Sequence, residues 1–319
     1  MRTTPPPYRP RCGAILLSLA LTLVPTGHGV GQQVADSTFD VSVARPAHTR
    51  SRPVVMIDEA HQNFHTAVGR YEPFARLLRN DGYRVVRGTE KVTPAALRGV
   101  NVFVISNAEG ANAAGDSLSA AFTETECDVI RDWVRAGGAL LLVADHAPFG
   151  RAAENLARRF DVEFGKGFVY DSTASLEGGL TFLVFSRPDS GLGNHVILRG
   201  RDPSERVARV ITFTGQSMTV PPRGVALLKL SDNAREGPTR DDVLARRGAP
   251  AAGRAQGIAL TFGRGRVVVL GEAAMLSAQI ARWEQDGKTH EFLMGMNHPG
   301  SDDKQFALNV MRWLTRVLN

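Results

Sequence analysis

Short runs of continuous apolar residues recur along the chain and constrain its fold more than any other feature. They read VVMID (54–58), VFVIS (102–106), ALLLVAD (139–145) and VVVLG (267–271). A strand with one solvated face alternates apolar and polar residues, whereas these runs are apolar at every position and therefore bury both faces. Helix-spaced segments lie between them. YEPFARLLRNDG (71–82) repeats Phe74, Leu77 and Leu78 on one face and closes at Gly82. TETECDVIRDWVRAGG (123–138) opens on Thr123-x-x-Glu126, a capping-box spacing, and closes at Gly137. With YRVV (83–86) as a further strand and TPAAL (93–97) and AAENLARRF (152–160) as further helices, the order is α/β. The expected architecture is a doubly wound, mainly parallel sheet with helices on both faces.

The rhythm changes between about 165 and 255. TFLVFS, HVILRG, ARVITFTG and GVALLKL are strand-like and joined by Gly/Pro turns, and residues 232–256 read as a long exposed loop. We expect a β-rich insertion within one domain spanning 53–319. QGIALTFGRGRVVVLGE (256–272) then reads as a hairpin, and FALNVMRWLTRVL (306–318) as an amphipathic closing helix. Residues 32–52 are polar without a period, a linker or an edge segment.

Residues 1–31 have the pattern of an export signal. Arg2, Arg9 and Arg11 precede the twelve-residue apolar run GAILLSLALTLV, and Gly29-Val30-Gly31 forms a small-residue exit. Twelve residues fall short of the roughly 20 that span a bilayer. The expected location is extracytoplasmic, periplasmic or secreted, with no membrane span after cleavage. Removing three arginines and no acid lowers the formal charge from +6 to +3. No Lys/Arg run is interleaved with aromatics, which argues against nucleic acid as a partner. Cys12 lies in the signal, so the remaining chain keeps only Cys127 and forms no internal disulfide. Cys127 shares spacing with Ile130 and Val134, the spacing of a core filler and not of a nucleophile.

In open α/β sheets a ligand crevice lies beyond the carboxyl ends of the strands. Here those ends are polar. The first carries Asp58, Glu59, His61 and Asn63, with His65 close behind; the third carries Asn107; the fourth carries Asp145 and His146; VVVLG ends at Glu272. A later crossover adds Asn297 and His298. Acids at such places also serve as helix caps. Carboxylates and imidazoles drawn from segments this far apart nonetheless point to one ligand site. Asp145, His146 and Glu272 are the candidate catalytic groups, and Glu59, Asn63, Asn107, Asn297 and His298 the candidate ligand-binding groups. Asp58, His61 and His146 offer the mixed O/N donors of a divalent metal such as zinc, and His61-x-x-x-His65 has the spacing of two ligands on one helix face. No GxSxG elbow, HExxH zinc motif or Walker-type loop is present.

WVRAGGALLLVADHAPFG, followed late in the chain by GRGRVVVLGEAAML and an asparagine-bearing WL helix, resembles the class I glutamine amidotransferase-like superfamily. The similarity is greatest to its trehalose-utilisation (ThuA)-like branches and to uncharacterised secreted domains, and it covers most of 53–319. It implies a flavodoxin-like fold. In the amidotransferases of that superfamily the strand after the "GG" helix ends in an elbow bearing a nucleophilic cysteine. Here the corresponding place reads Ala144-Asp145-His146-Ala147, and Gly300 stands where a His-Pro-Glu motif would carry its acid. The resemblance therefore implies the fold without glutaminase chemistry. Two functions follow as expectations: a hydrolase-like enzyme, assisted by a metal that supplies the missing nucleophile as bound water, or a non-catalytic domain binding a small molecule, a glycan or an envelope partner.

Overall fold

The computed structural model describes residues 32–110, 119–176, 179–187, 189, 191–285 and 288–319; the export-signal reading of 1–31 falls outside them. In chain order the elements that matter here are β1 (Gln32–Ala35), β2 (Val54–Asp58), α1 (Glu72–Asn80), β3 (Arg84–Gly88), β4 (Val102–Ser106), α2 (Glu124–Arg135) and β5 (Ala139–Val143). Then come α3 (Phe149–Ala152), α4 (Glu154–Arg158), β6 (Phe168–Tyr170), β7 (Val184–Ser186), α5 (Val196–Arg199), β8 (Arg209–Ile211) and β9 (Gly224–Lys229). The chain closes with β10 (Arg235–Gly237), α6 (Arg240–Leu244), β11 (Ala249–Pro250), β12 (Ala255–Phe262), β13 (Gly265–Leu270), β14 (Ala278–Gln285), β15 (Lys288–Gly295) and α7 (Asp303–Leu314).

The four apolar runs meet in one seven-stranded sheet of order β3-β2-β4-β5-β13-β12-β9. Every pair from β3 to β13 is parallel, while β12 runs antiparallel to both its neighbours. Their side chains alternate between two cores. Val55, Ile57, Val104, Leu141 and Val268 pack with Phe74 and Leu77 of α1 and Phe306 and Val310 of α7. Phe103, Ile105, Leu140, Leu142 and Val269 pack with Cys127, Ile130 and Val134 of α2. This explains why the runs are apolar throughout: each face has a helix to bury it. A fully buried leucine contributes roughly 1.5–3 kcal/mol by leaving water.

Local chemistry sets the helix ends as expected from the sequence. The Thr123 hydroxyl accepts from the Glu126 amide, and the Glu126 carboxylate accepts from the Thr123 amide at 3.0 Å, so the capping box is formed. After α1 the chain turns at Gly82 with φ +96°, where a Cβ would lie 1.9 Å from the His48 carbonyl oxygen. Only glycine fits both the angle and the space.

Elsewhere the structure departs from expectation. Residues 93–97 form turns, not a helix, and Ala153 breaks the 152–160 segment into α3 and α4. HVILRG holds the short helix α5, because His195 caps it by accepting from the Ile197 amide. GVALLKL belongs to the central sheet as β9, and the supposed loop 232–256 contains β10, α6 and β11. The stretch 32–52 is an edge, not a linker: β1 pairs with β14, Val41 is buried, and the Ala47 amide donates to Asp81. Among the described residues no helix is long and apolar enough to cross a membrane.

Candidate functional site

Beyond the carboxyl ends of β4 and β5 lies a cleft enclosing ≈ 570 Å³ of empty space, its open mouth included. Asn107 organises its floor. It follows β4 with φ +49°, a left-handed conformation that asparagine tolerates better than most residues. Its Oδ1 accepts from the Asp145 amide at 2.9 Å, and its Nδ2 donates to His65 Nδ1 at 3.3 Å. One side chain thus fixes the turn after β5 and the loop after β2. Gln216, fully buried, holds the same turn from below by donating to the carbonyls of Ala144 and Asp145 at 2.8 and 2.7 Å.

Two histidines, His65 and His146, line the cleft. Since His65 Nδ1 accepts from Asn107, its proton sits on Nε2. Burial, aided by the charge of Arg70, pushes its pKa down to about 3, so the ring stays neutral. His146 donates from Nδ1 to the Ala147 carbonyl at 2.7 Å. The His146 ring stacks on Phe168 at 4.7 Å.

Asp145 and Glu272 form a buried carboxyl pair. Asp145 Oδ1 accepts from the His146 amide at 2.8 Å, and Asp145 lines the cleft while only 8% exposed. Burial raises its pKa against the favourable influence of His146 and the surrounding amides. Glu272, without exposed surface, accepts from the amides of Ala274 and Met275 at 2.6 and 2.8 Å. Burial first, and the charge of Asp145 second, push its pKa well above the usual carboxylate range. Two neighbouring carboxylates out of water do not both ionise. The pair therefore keeps a proton at pH values where free carboxylic acids have lost theirs. Tyr71, also fully buried, closes the space behind by donating to the Ala273 carbonyl at 3.0 Å.

Of the residues expected from sequence, the cleft receives Asn107, Asp145 and His146 directly. Glu272 reaches it only through Asp145. The others lie elsewhere. Asp58 and His61 turn toward α2: His61 Nδ1 lies 2.9 Å from Asp58 Oδ2, and Nε2 lies 3.1 Å from Glu126 Oε1. Burial works against a charged ring, but the hydrogen bonds and charges of Asp58 and then Glu126 outweigh it and raise the His61 pKa. With a carboxylate at each nitrogen, His61 has no lone pair for a metal. It also shares no helix face with His65, since 59–70 is irregular. The expected metal set of Asp58, His61 and His146 is corrected accordingly: Asp58 and His61 meet each other beside α2, while His146 lines the cleft. Among the described residues, no group of three or more His, Cys, Asp or Glu could hold a metal ion.

Glu59 is a structural group, paired with Arg87 at 2.7 Å and accepting from the Ala67 amide at 2.9 Å. Asn63 braces its own loop through the His61 amide and the Ser106 carbonyl. Asn297 donates to Asp36 and to the Gln279 carbonyl, both at 3.1 Å. His298 packs on Phe213 and Phe292 behind the cleft wall, at 5.5 and 5.4 Å between rings. Burial pushes the Cys127 thiol up to about 12, which makes it inert as a nucleophile.

Sequence reasoning missed much of the lining, including Gln33 of β1, Thr214, Arg240 of α6, and Gln279 and Met294 of β14 and β15. Thr214 has φ +75°, a strained conformation for a β-branched residue. For Arg240 a signal did exist. Thr239-x-x-Asp242 has helix-start spacing, and the Thr239 hydroxyl accepts from the Asp242 amide at 3.1 Å.

No family model matches the chain, and no curated protein matches it. Solved structures do. The N-terminal domain of mmIFT52 superposes with a TM-score of 0.58 at 15% identity, covering 82% of this chain and 97% of that one. Cytoplasmic protein STM3548 from Salmonella typhimurium gives a TM-score of 0.40 at 11% identity, with 82% and 98% of the two chains covered. The exo-β-1,4-mannosidase Op5Man5 from Opitutaceae bacterium strain TAV5 gives 0.34 at 13% identity, covering 69% of this chain and 31% of that one. The likeness to the mmIFT52 domain is one of fold: a mixed α/β arrangement around a mostly parallel sheet.

Proposed function

We propose that the cleft beyond β4 and β5 binds a small polar ligand and carries out hydrolase-like general acid–base chemistry centred on Asp145, without a metal. One observation carries this reading: a carboxyl of raised proton affinity borders the cleft, beside a second carboxyl sealed from solvent. A group whose pKa is shifted toward neutrality both donates and accepts protons efficiently. Asp145 would take the proton of an attacking water and return it to the leaving group. His146 Nε2 is left to hydrogen-bond the ligand, and Asn107 holds Asp145 and His65 in place. Phe64, Phe149, Phe213 and Met294 offer the ligand an apolar side.

We further infer a doubly wound, flavodoxin-like layout, supported by the strand order and by helices packed on both faces. Kinship with the class I glutamine amidotransferase-like superfamily, and export through residues 1–31, belong to the same proposal and rest on the sequence stretches that suggested them. A second reading, a domain that binds a small molecule or glycan without turning it over, is favoured by the absence of a Ser or Cys nucleophile among the residues lining the cleft.

A panel of chromogenic esters, phosphoesters, glycosides and amides, assayed with chelator present, separates the two. We expect turnover in one class, unaffected by chelator and reduced at least 100-fold in Asp145→Asn. Equal turnover by the wild type and Asp145→Asn would remove Asp145 from the chemistry. No turnover at all would leave the binding reading.

A further inference from the structure

We infer that the ligand of this cleft carries an oxyanion, received by the guanidinium of Arg240 and the Nε2–H of His65. The inference rests on the cleft being a ligand site and adds the chemical class of what it takes.

Arg240 opens α6, lines the cleft and is half-buried, with its guanidinium carbon 5.6 Å from the centre of the Phe168 ring. Among the described residues it makes no hydrogen bond and no ion pair. A guanidinium has five N–H donors, and withdrawing them from water without acceptors costs free energy. The other well-buried arginine behaves differently: Arg312, 1% exposed, meets Asp81 at 2.8 and 3.0 Å. Arg240 instead keeps its planar fork unspent at a cavity, the arrangement suited to a bidentate oxyanion.

The surroundings favour the same sign of ligand. Arg70, its guanidinium carbon 3.8 Å from the Phe64 ring centre, is a second cation without an ion-pair partner among the described residues. Phe64 and His65 both line the cleft, and the charge of Arg70 acts on His65, so a second cation stands behind that part of the wall. His65 presents Nε2–H as a neutral donor, because Nδ1 is already accepting from Asn107. The acid that acts electrostatically on Arg240 is Asp145, whose own proton affinity is raised by burial. Two donors, Arg240 and His65, thus face the space, and the rings of Phe149 and Phe213 suit an apolar body behind the anionic group.

The test uses the full chain, calorimetry and thermal shift, with inorganic phosphate, sulfate, acetate and benzoate as probes. Chloride at equal ionic strength and uncharged benzamide serve as controls. We expect a saturable response to at least one oxyanion and none to chloride or benzamide, with Kd raised at least tenfold in Arg240→Gln and less in Arg240→Lys. Arg240 has no hydrogen bond or ion pair to lose among the described residues, so the unliganded Arg240→Gln protein should melt close to the wild type, which keeps the comparison clean. Phosphate or sulfate alone being bound points to a free inorganic anion; benzoate bound more tightly than acetate points to the anionic group of an organic ligand. No saturable response, equal responses to benzoate and benzamide, or less than a tenfold change in Arg240→Gln each overturn the inference. Turnover that depends on Asp145 while oxyanions fail to bind refutes this inference alone. Arg240-dependent oxyanion binding without turnover refutes only the catalytic reading.

Discussion

Asn107 shows how much one residue carries in this molecule. Its backbone sits at positive φ, its amide oxygen holds the Asp145 turn, and its amide nitrogen fixes the tautomer of His65. Replacement by alanine removes both hydrogen bonds and places a Cβ in a conformation it disfavours; replacement by glycine removes only the bonds. The usual order of the two substitutions is therefore reversed. Asn107→Ala should destabilise by roughly 1 kcal/mol more than Asn107→Gly, within a total of about 2–4 kcal/mol. Chemical denaturation of the two variants measures this, and a more stable alanine variant would contradict it. Asn107, Asp145 and His146 were legible in the sequence because strand ends of a parallel sheet share one rim. Asp58 and His61 obeyed the same rule yet left the cleft, because position on a strand does not give side-chain direction. Glu126 drew them away, and the sequence marks that residue only as a helix cap. It also accepts from the Val92 amide at 3.3 Å, so one buried carboxylate serves a cap, a loop and an imidazole.

At the scale of elements, α7 is locked in place by charge as well as by its apolar face. Arg312 meets Asp81 just past α1 at 2.8 Å and lies 3.1 Å from Glu205, and all three groups are buried. Replacing one member of such a group leaves uncompensated charge in the interior. Arg312→Met should cost about 3–5 kcal/mol, read as a shifted denaturation midpoint, whereas a loss below about 1 kcal/mol would show that the group contributes no cohesion. The closing helix and the parallel strands were readable because period and apolarity are strong over five to twelve residues. The insertion was readable only in part: TFLVFS, ARVITFTG and GVALLKL hold β7, β8 and β9, whereas β6, β10, β11, α5 and α6, of two to five residues, are too short for a period to register. Charged Arg240 consequently passed for part of a solvated loop, and residues 32–35 hid their partner strand because pairing across 248 positions leaves no local trace (Gln33 with Ala281, for example).

For the whole molecule, the titrating groups set a direction for stability with pH. His61 has a raised pKa, so its contribution is complete below the unfolded value near 6.5 and fades as pH climbs through the folded one. Asp145 and Glu272 also hold protons more tightly when folded. The unfolded chain releases those protons near pH 4 to 4.5, so stability declines above that point as well. Glu205 works the other way. Burial opposes its ionisation, but Arg201 and then Arg312 bring it down to about 2, so its contribution is lost as pH falls from 4.5 toward 2. Together these place the stability maximum on the acid side of neutral. Calorimetric melting between pH 4 and 9 should show it, and Asp145→Asn should flatten the alkaline limb, raising Tm by roughly 2–4 °C at pH 8 for each kcal/mol relieved. Melting curves for the wild type and the variant that run parallel across that range would mean that the carboxyl pair does not couple to folding.

The pairing of β1 with β14 has one more outcome. The cleft wall joins the first described strand, through Gln33, to a hairpin near the other end of the chain, through Gln279 and Met294. A polypeptide emerging from the ribosome can assemble its parallel strands and still lack that wall until β14 and β15 have followed. Ligand capture thereby doubles as a report that the last hairpin has come home.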